Sequence, residues 1–521
     1  MYKVWLYDTT LRDGSQGEGI SYSVSDKVRI AQELDKLGVH FIEGGWPGSN
    51  PKDMEFFVKM AKKRLHNSKL AAFSMTRRPN IKASQDNNIE DLVRSGAEII
   101  TIVGKTWDLH VTDVLKVTLE ENLNMIKDTV SFLVSKGLTV FYDAEHFFDA
   151  YRANKEYSLK CLIAAVEAGA KSVSLCDTNG GTLTSEISAV IREIKPKIKA
   201  DIGIHCHNDC GLAIANSIAA IEAGATIVQG TINGYGERCG NADLLPIIAN
   251  LKIKLDIDCI PDDNLKELVH VSRFISEISN MRSRTDQPYV GDSAFAHKGG
   301  MHINAVMKNS KSYEHIDPAL VGNHRRVLVS ELGGKTGILL RAKSLELDLS
   351  KEDPKTKKIL ELVQKLEHEG YHFEAAEASF EILMKKALKK YDKFFELEGF
   401  RVVIEKQANK KITSEAIIKV KVKGVKEHTA AEGDGPVNAL DNALRKALKE
   451  FYPTLSKMHL SDFKVRVLDE KAGTAARVRV LIQSQDESDT WSTIGVSENI
   501  IEASWQALVD SVEYKLLKDK V

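Results

Sequence analysis

Through roughly the first 260 residues, eight short runs rich in β-branched and aromatic residues alternate with amphipathic stretches of helical period. The strand-like runs are Val4–Asp8, Phe41–Gly45, Leu70–Ser74, Ile99–Val103, Thr139–Asp143, Ser172–Cys176, Ile202–His207 and Ile227–Ile232. The helical stretches between them include Ser25–Leu37, Glu120–Lys136, Leu159–Ala168, Ser185–Lys195 and Leu212–Glu222. Glycine follows several helix-like segments where a C-cap needs a left-handed residue: Gly38, Gly96, Gly137, Gly169 and Gly224. Alternating βα units require a parallel sheet covered by helices, and eight of them over about 250 residues is the size of a (β/α)₈ TIM barrel. A doubly wound open sheet is the alternative, because the count alone does not close the sheet.

The alternation stops near residue 260. Residues 263–280, 355–369 and Glu377–Lys390 read as helices, so 261–395 is expected to form helical linker subdomains. From 396 to 521 short strands return (Phe400–Glu405, Ala416–Val422, Phe463–Leu468, Ala476–Ile482). Ala439, Ala443 and Leu444 recur at the same spacing as Ala503, Ala507 and Leu508. That echo predicts a C-terminal α+β domain of duplicated βββα units, after a barrel over 1–260.

The chain of 521 residues balances 72 Lys+Arg against 73 Asp+Glu. A net charge of -1 offers no basic excess for nucleic acid or an anionic membrane surface. No apolar run approaches the roughly 18 residues of a membrane span. The start, Met1-Tyr2-Lys3-Val4-Trp5, has no secretory pattern, and the six cysteines include no CxxC pair. A cytoplasmic protein without a disulfide framework is the expectation.

In a barrel, chemistry gathers at the C-terminal ends of the strands. Those ends carry Arg12-Asp13, Glu43, Asp143 and Glu145, Asp177-Thr178, His205 and His207, and Asn233 to Asn241. Strand residues i and i+2 share a face, so His205 and His207 point together into the barrel mouth. With Asp13, close by across strand 8, they form two imidazoles and a carboxylate suited to a divalent metal. The plainer alternative is a hydrogen-bonded histidine pair. Arg12 can offer its planar fork to a substrate carboxylate or oxyanion, or make a barrel-end salt bridge. Glu145 reads either as an acid or base or as a structural carboxylate.

Other strings fit known motifs less well. His368-Glu369-Gly370-Tyr371-His372 matches the zinc-protease string, but Gly370 stands where its helix should continue. Gly334-Lys335-Thr336 has Val329 where a P-loop needs its first glycine, and the loop Gly234–Gly240 lacks dinucleotide spacing. Cys239 is expected to be a small buried residue rather than a nucleophile.

Three motifs, Asp8-Thr9-Thr10-Leu11-Arg12-Asp13-Gly14, His205-x-His207-Asn208-Asp209 and Gly236-Glu237-Arg238-x-Gly240-Asn241, resemble the isopropylmalate/homocitrate/citramalate synthase family. The stretches Ala294–His302, Tyr313–Pro318 and Gly433-Asp434-Gly435-Pro436-Val437 resemble its linker and regulatory regions, so the likeness covers essentially the whole chain. Glu43–Pro51 and Tyr142–Asp149 look most like the longer citramalate synthases, which points to pyruvate as acceptor. Homocitrate and 2-isopropylmalate synthesis stay open.

The resemblance implies a Claisen-type condensation of acetyl-CoA with a 2-oxo acid. Asp13, His205, His207 and Asn241 would hold a divalent metal (Mg2+ or Mn2+, or else Zn2+). Arg12 would steady the developing alkoxide, Thr178 and Asp143 would contact substrate, and His302 paired with Glu145 would remove the acetyl proton, near Tyr313. Relatives supply that histidine to a neighbouring subunit, which implies a domain-swapped homodimer. The C-terminal domain would bind an end-product amino acid, isoleucine if the product is citramalate. Asn304 departs from relatives with an acidic residue there, and Asp143 from citramalate synthases with tyrosine. A lyase of the same barrel superfamily, using Cys239, is a second reading; an inert barrel with an amino-acid-binding domain is a third.

Overall fold

The computed structural model describes residues 3–328, 339, 342, 349–350, 353–408, 411–468, 476–487 and 489–519. They form two compact units, Met1–Phe295 with Ile316–His324, and Ala296–His315 with Arg325–Val521.

In the first unit eight parallel strands close in sequence order: β1 (Trp5–Asp8), β2 (Phe41–Gly45), β3 (Lys69–Met75), β4 (Ile99–Lys105), β5 (Thr139–Glu145), β6 (Ser172–Asp177), β7 (Asp201–Cys206) and β8 (Ile227–Gly230). Pairing of β1 with β8, from Trp5 opposite Ile227 to Asp8 opposite Gly230, closes the sheet and excludes the open alternative. The helices start and stop on local signals. Val24–Leu37 opens on a Ser23/Asp26 capping box and ends at Gly38 in left-handed backbone.

Side-chain parity divides each strand between two environments. Leu6, Ile42, Ile100, Val140, Val173 and Val228 pack outward in the main core, under the helices. Tyr7, Ala71, Ile99, Phe141 and Ile227, with Phe41 against them, form a separate apolar cluster of the opposite parity, filling the barrel floor. Two residues along, the inward row turns polar. Tyr7 donates to Glu43 at 2.8 Å and lies 2.6 Å from the Thr101 hydroxyl. The parity that puts Phe141 in the floor therefore sends Asp143 to the middle layer and Glu145 to the mouth.

The second unit begins with a small module. β9 (Ala296–His297) pairs in parallel with β10 (Arg326–Val327), and the helix Gly300–Lys308 follows β9. Buried Glu314 anchors it, accepting from Arg325 Nε at 2.6 Å and lying 3.0 Å from His297 Nε2. The helix Pro354–His368 ends on Glu369, and Gly370 has φ 108°, so the zinc-protease string does not lie on one helix face. Gly334-Lys335-Thr336 falls outside the described residues.

Two three-stranded antiparallel sheets complete the unit: β11 (Phe395–Glu405), β12 (Thr413–Val422) and β13 (Val425–Gly433), then β14 (His459–Val467), β15 (Val478–Gln485) and β16 (Thr490–Ser497). Each is followed by a helix, Pro436–Leu448 and Ile500–Lys518, so the βββα duplication is present. Ala416, Ile418 and Val420 of β12 and Val480 and Ile482 of β15 share a core with Ala439, Ala443, Leu444 and Ala503, Ala507, Leu508. Sequence reading missed β13 and β16. β13 is an edge strand whose inner positions include Thr429 and Ala431, too small to give an alternating apolar signal.

Candidate active site

Asp13 lies in the loop after β1, at the N-terminus of the short 3₁₀ turn Gly14–Gln16. His205 is on β7. His207 is one residue beyond the strand, where its backbone bridges to Asn241. This corrects the expectation that β7 reaches His207, but the bridge keeps its parity. Nε2 of His205 is 3.3 Å, and Nε2 of His207 4.0 Å, from Asp13 Oδ2. One ligand atom from each residue fits within 4.8 Å, and all three side chains are buried.

The local charges explain one another. Burial pushes the Asp13 carboxyl up, but the Arg12 charge and the His205 hydrogen bond outweigh it and hold the group well below the usual carboxylate range. Burial pushes His205 down, yet its bond to Asp13 leaves it raised overall. Burial, then the neighbouring His205, depress His207 to about 4. His207 is therefore neutral near pH 7, its lone pair available.

Whether these residues fit a cation can be judged from their unmet polar atoms. Asn241 Oδ1, beside His207 across their backbone bridge, is buried without a hydrogen-bond partner. Buried polar atoms are rarely left so, and a cation would satisfy lone pairs that no protein donor reaches. His205 Nδ1 is 2.9 Å from Gln229 Oε1, while Gln229 Nε2 donates to Asp143 Oδ1 and Ser174 Oγ, each at 2.9 Å. With its amide N–H₂ committed, Gln229 can only accept from His205. That fixes the proton on Nδ1 and leaves Nε2 as the ligand atom. The donor set fits a divalent cation. Asn241 is held by the preceding loop: Gly236 has φ 155° and a Cβ there would sit 2.1 Å from Asn241 Nδ2, so glycine is required.

Arg12 is fixed on three sides. Its Nε donates to Glu43 Oε2 at 2.5 Å, its Nη1 is 3.7 Å from Asp13, and the guanidinium lies 3.9 Å from the Phe73 ring centre. Arg12, Asp13, Asp143, Glu145, Thr178, His205 and His207 line one cavity of about 290 Å³, together with Trp46, Phe73, Met75, Val103, Lys105 and Arg238. Glu145 pairs with Lys105, its cross-strand partner. Asp143 is buried in the Gln229 network, and burial raises its carboxyl.

His302 and Tyr313 belong to the second unit. They are exposed, and their rings stack 4.1 Å apart. Cys239 is exposed, contrary to expectation, because the glycine-rich loop carries it outward. Glu43 as holder of Arg12, Lys105 and Gln229 went unrecognised in the sequence. Strand parity alone places all three inward, but each acts through another residue and carries no motif of its own.

Asp8, on the motif that carries Asp13, accepts from Thr10 N and Oγ1 at 2.9 and 2.8 Å. Burial nevertheless raises its carboxyl from 3.8 to about 7. The folded chain keeps a proton that the unfolded chain releases, so this contribution to stability is complete below about pH 4 and is lost as pH rises through about 7. The loss is on the order of 4 kcal/mol. Denaturation midpoints measured from about pH 5.5 to 8.5 should fall for the native chain and flatten for Asp8→Asn. Parallel profiles would contradict this.

Residues 3–275 match the HMGL-like family, 289–370 the homocitrate synthase post-HMGL domain-like family and 374–516 the LeuA allosteric (dimerisation) domain. The (R)-citramalate synthase of Aquifex aeolicus is 54% identical over 520 residues, covering 99% of this chain and 98% of that protein. That of Geobacter sulfurreducens is 54% identical over 521 residues, covering 100% and 99%. The 2-isopropylmalate synthase of Methanocaldococcus jannaschii is 31% identical over 524 residues, covering 99% and 95%. The barrel, the two-histidine, one-carboxylate cluster at its mouth and this full-length similarity place the chain in the (R)-citramalate synthase family of condensing acyltransferases.

Proposed function

We propose that the chain condenses acetyl-CoA with pyruvate to give (R)-citramalate and free CoA. One observation carries the reading: a chain similar over its full length to (R)-citramalate synthases sets Asp13, His205 and His207 beside Arg12 in one cavity. The apolar wall of Phe73, Met75 and Val103 suits a methyl-bearing acceptor. 2-Isopropylmalate or homocitrate synthesis would need room there for a larger side chain.

Asp13, His205 and His207, with Asn241 as a fourth contact, would hold Mg2+ or Mn2+, or else Zn2+. Such an ion would supply Lewis-acid polarisation of the 2-oxo acid's ketone. Thr178 donates to the acceptor's carboxylate, and Asp143 orders the polar layer beneath through Gln229. His302, paired with Glu145, takes a methyl proton from acetyl-CoA, and Tyr313 keeps its ring in place. The methyl carbon then bonds to C2 of pyruvate. Arg12 is aimed by Glu43 and Phe73 at the ketone oxygen, which gains charge and then a proton. Water finally cleaves the thioester, leaving a carboxylate and CoA thiol.

Because His302 and Tyr313 lie exposed on the second unit with Met301, which is 79% exposed, we read the active enzyme as a homodimer. Each subunit lends this histidine to its partner, in keeping with the LeuA dimerisation domain. Feedback by isoleucine is supported by a cleft of about 680 Å³ whose apolar floor includes Val437, Leu455 and Leu460, with Asn438 and Asn442 at its rim. A cytoplasmic setting suits the reaction's soluble substrates. With carbon-labelled acetyl-CoA and pyruvate, NMR should show one five-carbon 2-hydroxy diacid. A product from another oxo acid alone would move the acceptor assignment. Cys239→Ser should keep turnover within about twofold, whereas a lyase relying on that thiol would lose nearly all activity.

A further inference from the structure

We propose that His146 and Arg238 are positioning residues that hold Thr178 from both sides, so that its hydroxyl proton is kept for a carboxylate oxygen of the acceptor. The inference rests on reading Thr178 as a substrate contact. Both residues have left-handed backbone, φ 53° at His146 and φ 56° at Arg238, although neither is glycine. Such backbone is unfavourable for residues with a Cβ and persists where the surroundings impose it, often at functional sites. Here the two converge on one side chain's residue. The His146 N–H donates to Thr178 Oγ1 at 2.9 Å, and Arg238 Nη2 donates to the Thr178 carbonyl at 2.7 Å.

His146 is the single residue between the end of β5 at Glu145 and the helix Phe147–Ala153. Its left-handed turn lets the chain reverse direction while its N–H faces the end of β6. The ring is secured separately, 4.4 Å from the His110 ring centre and 3.4 Å from Asp149 Oδ2. Asn179, next to Thr178, donates to that same carboxylate oxygen at 2.9 Å, so the β5 and β6 loops are tied twice. Arg238 is in turn forked onto Asp209 at 2.8 and 2.9 Å, which ties in the loops after β7 and β8.

The consequence for Thr178 is chemical. The His146 N–H occupies a lone pair of Oγ1 and fixes the rotamer. Among the described residues no acceptor takes the hydroxyl proton, and Thr178 lines the cavity that contains Arg12 and Asp13. A hydroxyl so held is a ready donor to an anionic oxygen.

Three substitutions test this, with KM for pyruvate and for acetyl-CoA measured separately. Thr178→Val removes the hydroxyl, and His146→Val opposes the left-handed turn through its β-branch. Each should raise the pyruvate KM about tenfold, the worth of one charge-assisted hydrogen bond. Acetyl-CoA KM should stay within about twofold, and the double variant should be little worse than either single one, as expected for one shared contact. His146→Gly keeps the N–H and permits the turn, so it should recover pyruvate KM to within about threefold. If His146→Val does not fold, His146→Ala meets a smaller version of the same penalty and should fall between the native chain and Thr178→Val. The proposal is overturned if His146→Gly is as damaging as His146→Val, or if the Val and Ala variants leave pyruvate KM unchanged while Thr178→Val raises it. A Thr178→Val enzyme with native pyruvate KM would instead overturn the reading of Thr178 itself.

Discussion

Asp13→Asn is expected to lower turnover by at least about a thousandfold while leaving the fold intact, because it removes the only anionic group of the proposed ligand set. The amide fills the same volume in a position only 4% exposed, so packing is kept. What is lost is charge. His205 and His207 are neutral when they offer their lone pairs, and Arg12 adds a positive charge beside them. A divalent cation would then enter a pocket with no counter-charge among its ligands. Equilibrium dialysis should show metal binding weakened by about a hundredfold or more, with an unchanged far-UV circular dichroism spectrum. Near-native metal affinity in this variant would show that the cluster is a hydrogen-bonded histidine pair with its carboxylate, the plainer of the two sequence readings.

The second large effect concerns His302. His302→Ala should lower kcat by about a hundredfold or more, since it removes the proposed base for a weak carbon acid, while metal binding stays native. Mixing this variant with Asp13→Asn and allowing subunits to exchange separates two arrangements. If each subunit lends its histidine to its partner, a mixed dimer holds one complete site. An equimolar mixture should then recover about a quarter of native activity, because half of its dimers are mixed. If the histidine serves its own barrel, every site in every dimer lacks one group and nothing is recovered.

The barrel was legible because three local signals agree: apolar runs of strand length, helical periodicity between them, and a glycine after several of the helices where the turn takes left-handed backbone. Gly38 and Gly224 both have that conformation. The grouping of two histidines with a carboxylate was legible for a related reason. The alternation that buries Ile204 and Cys206 under the helices turns His205 inward, and it survives at His207 although β7 has ended. Motif resemblance, not periodicity, picked out Asn241, His302 and Tyr313.

What stayed hidden were residues that act through others. Gln229 reads as one polar residue in an apolar strand, and its importance comes from which atoms of His205, Asp143 and Ser174 it reaches. Lys105 faces Glu145 only because β4 and β5 pair in that register. β13 was missed because an edge strand buries little and needs no apolar alternation. Cys239 was misplaced because a glycine-rich loop can turn a side chain in or out without any change in composition.

Metal-dependent condensation with pyruvate is tested most directly by thiol release from acetyl-CoA by the purified protein. Pyruvate, 2-oxobutyrate, 2-oxoisovalerate and 2-oxoglutarate would be compared, each with and without a chelator. Release should be fastest with pyruvate, abolished by the chelator and restored by Mg2+ or Mn2+. Release that survives complete metal removal, or none with pyruvate from metal-loaded protein, would contradict it.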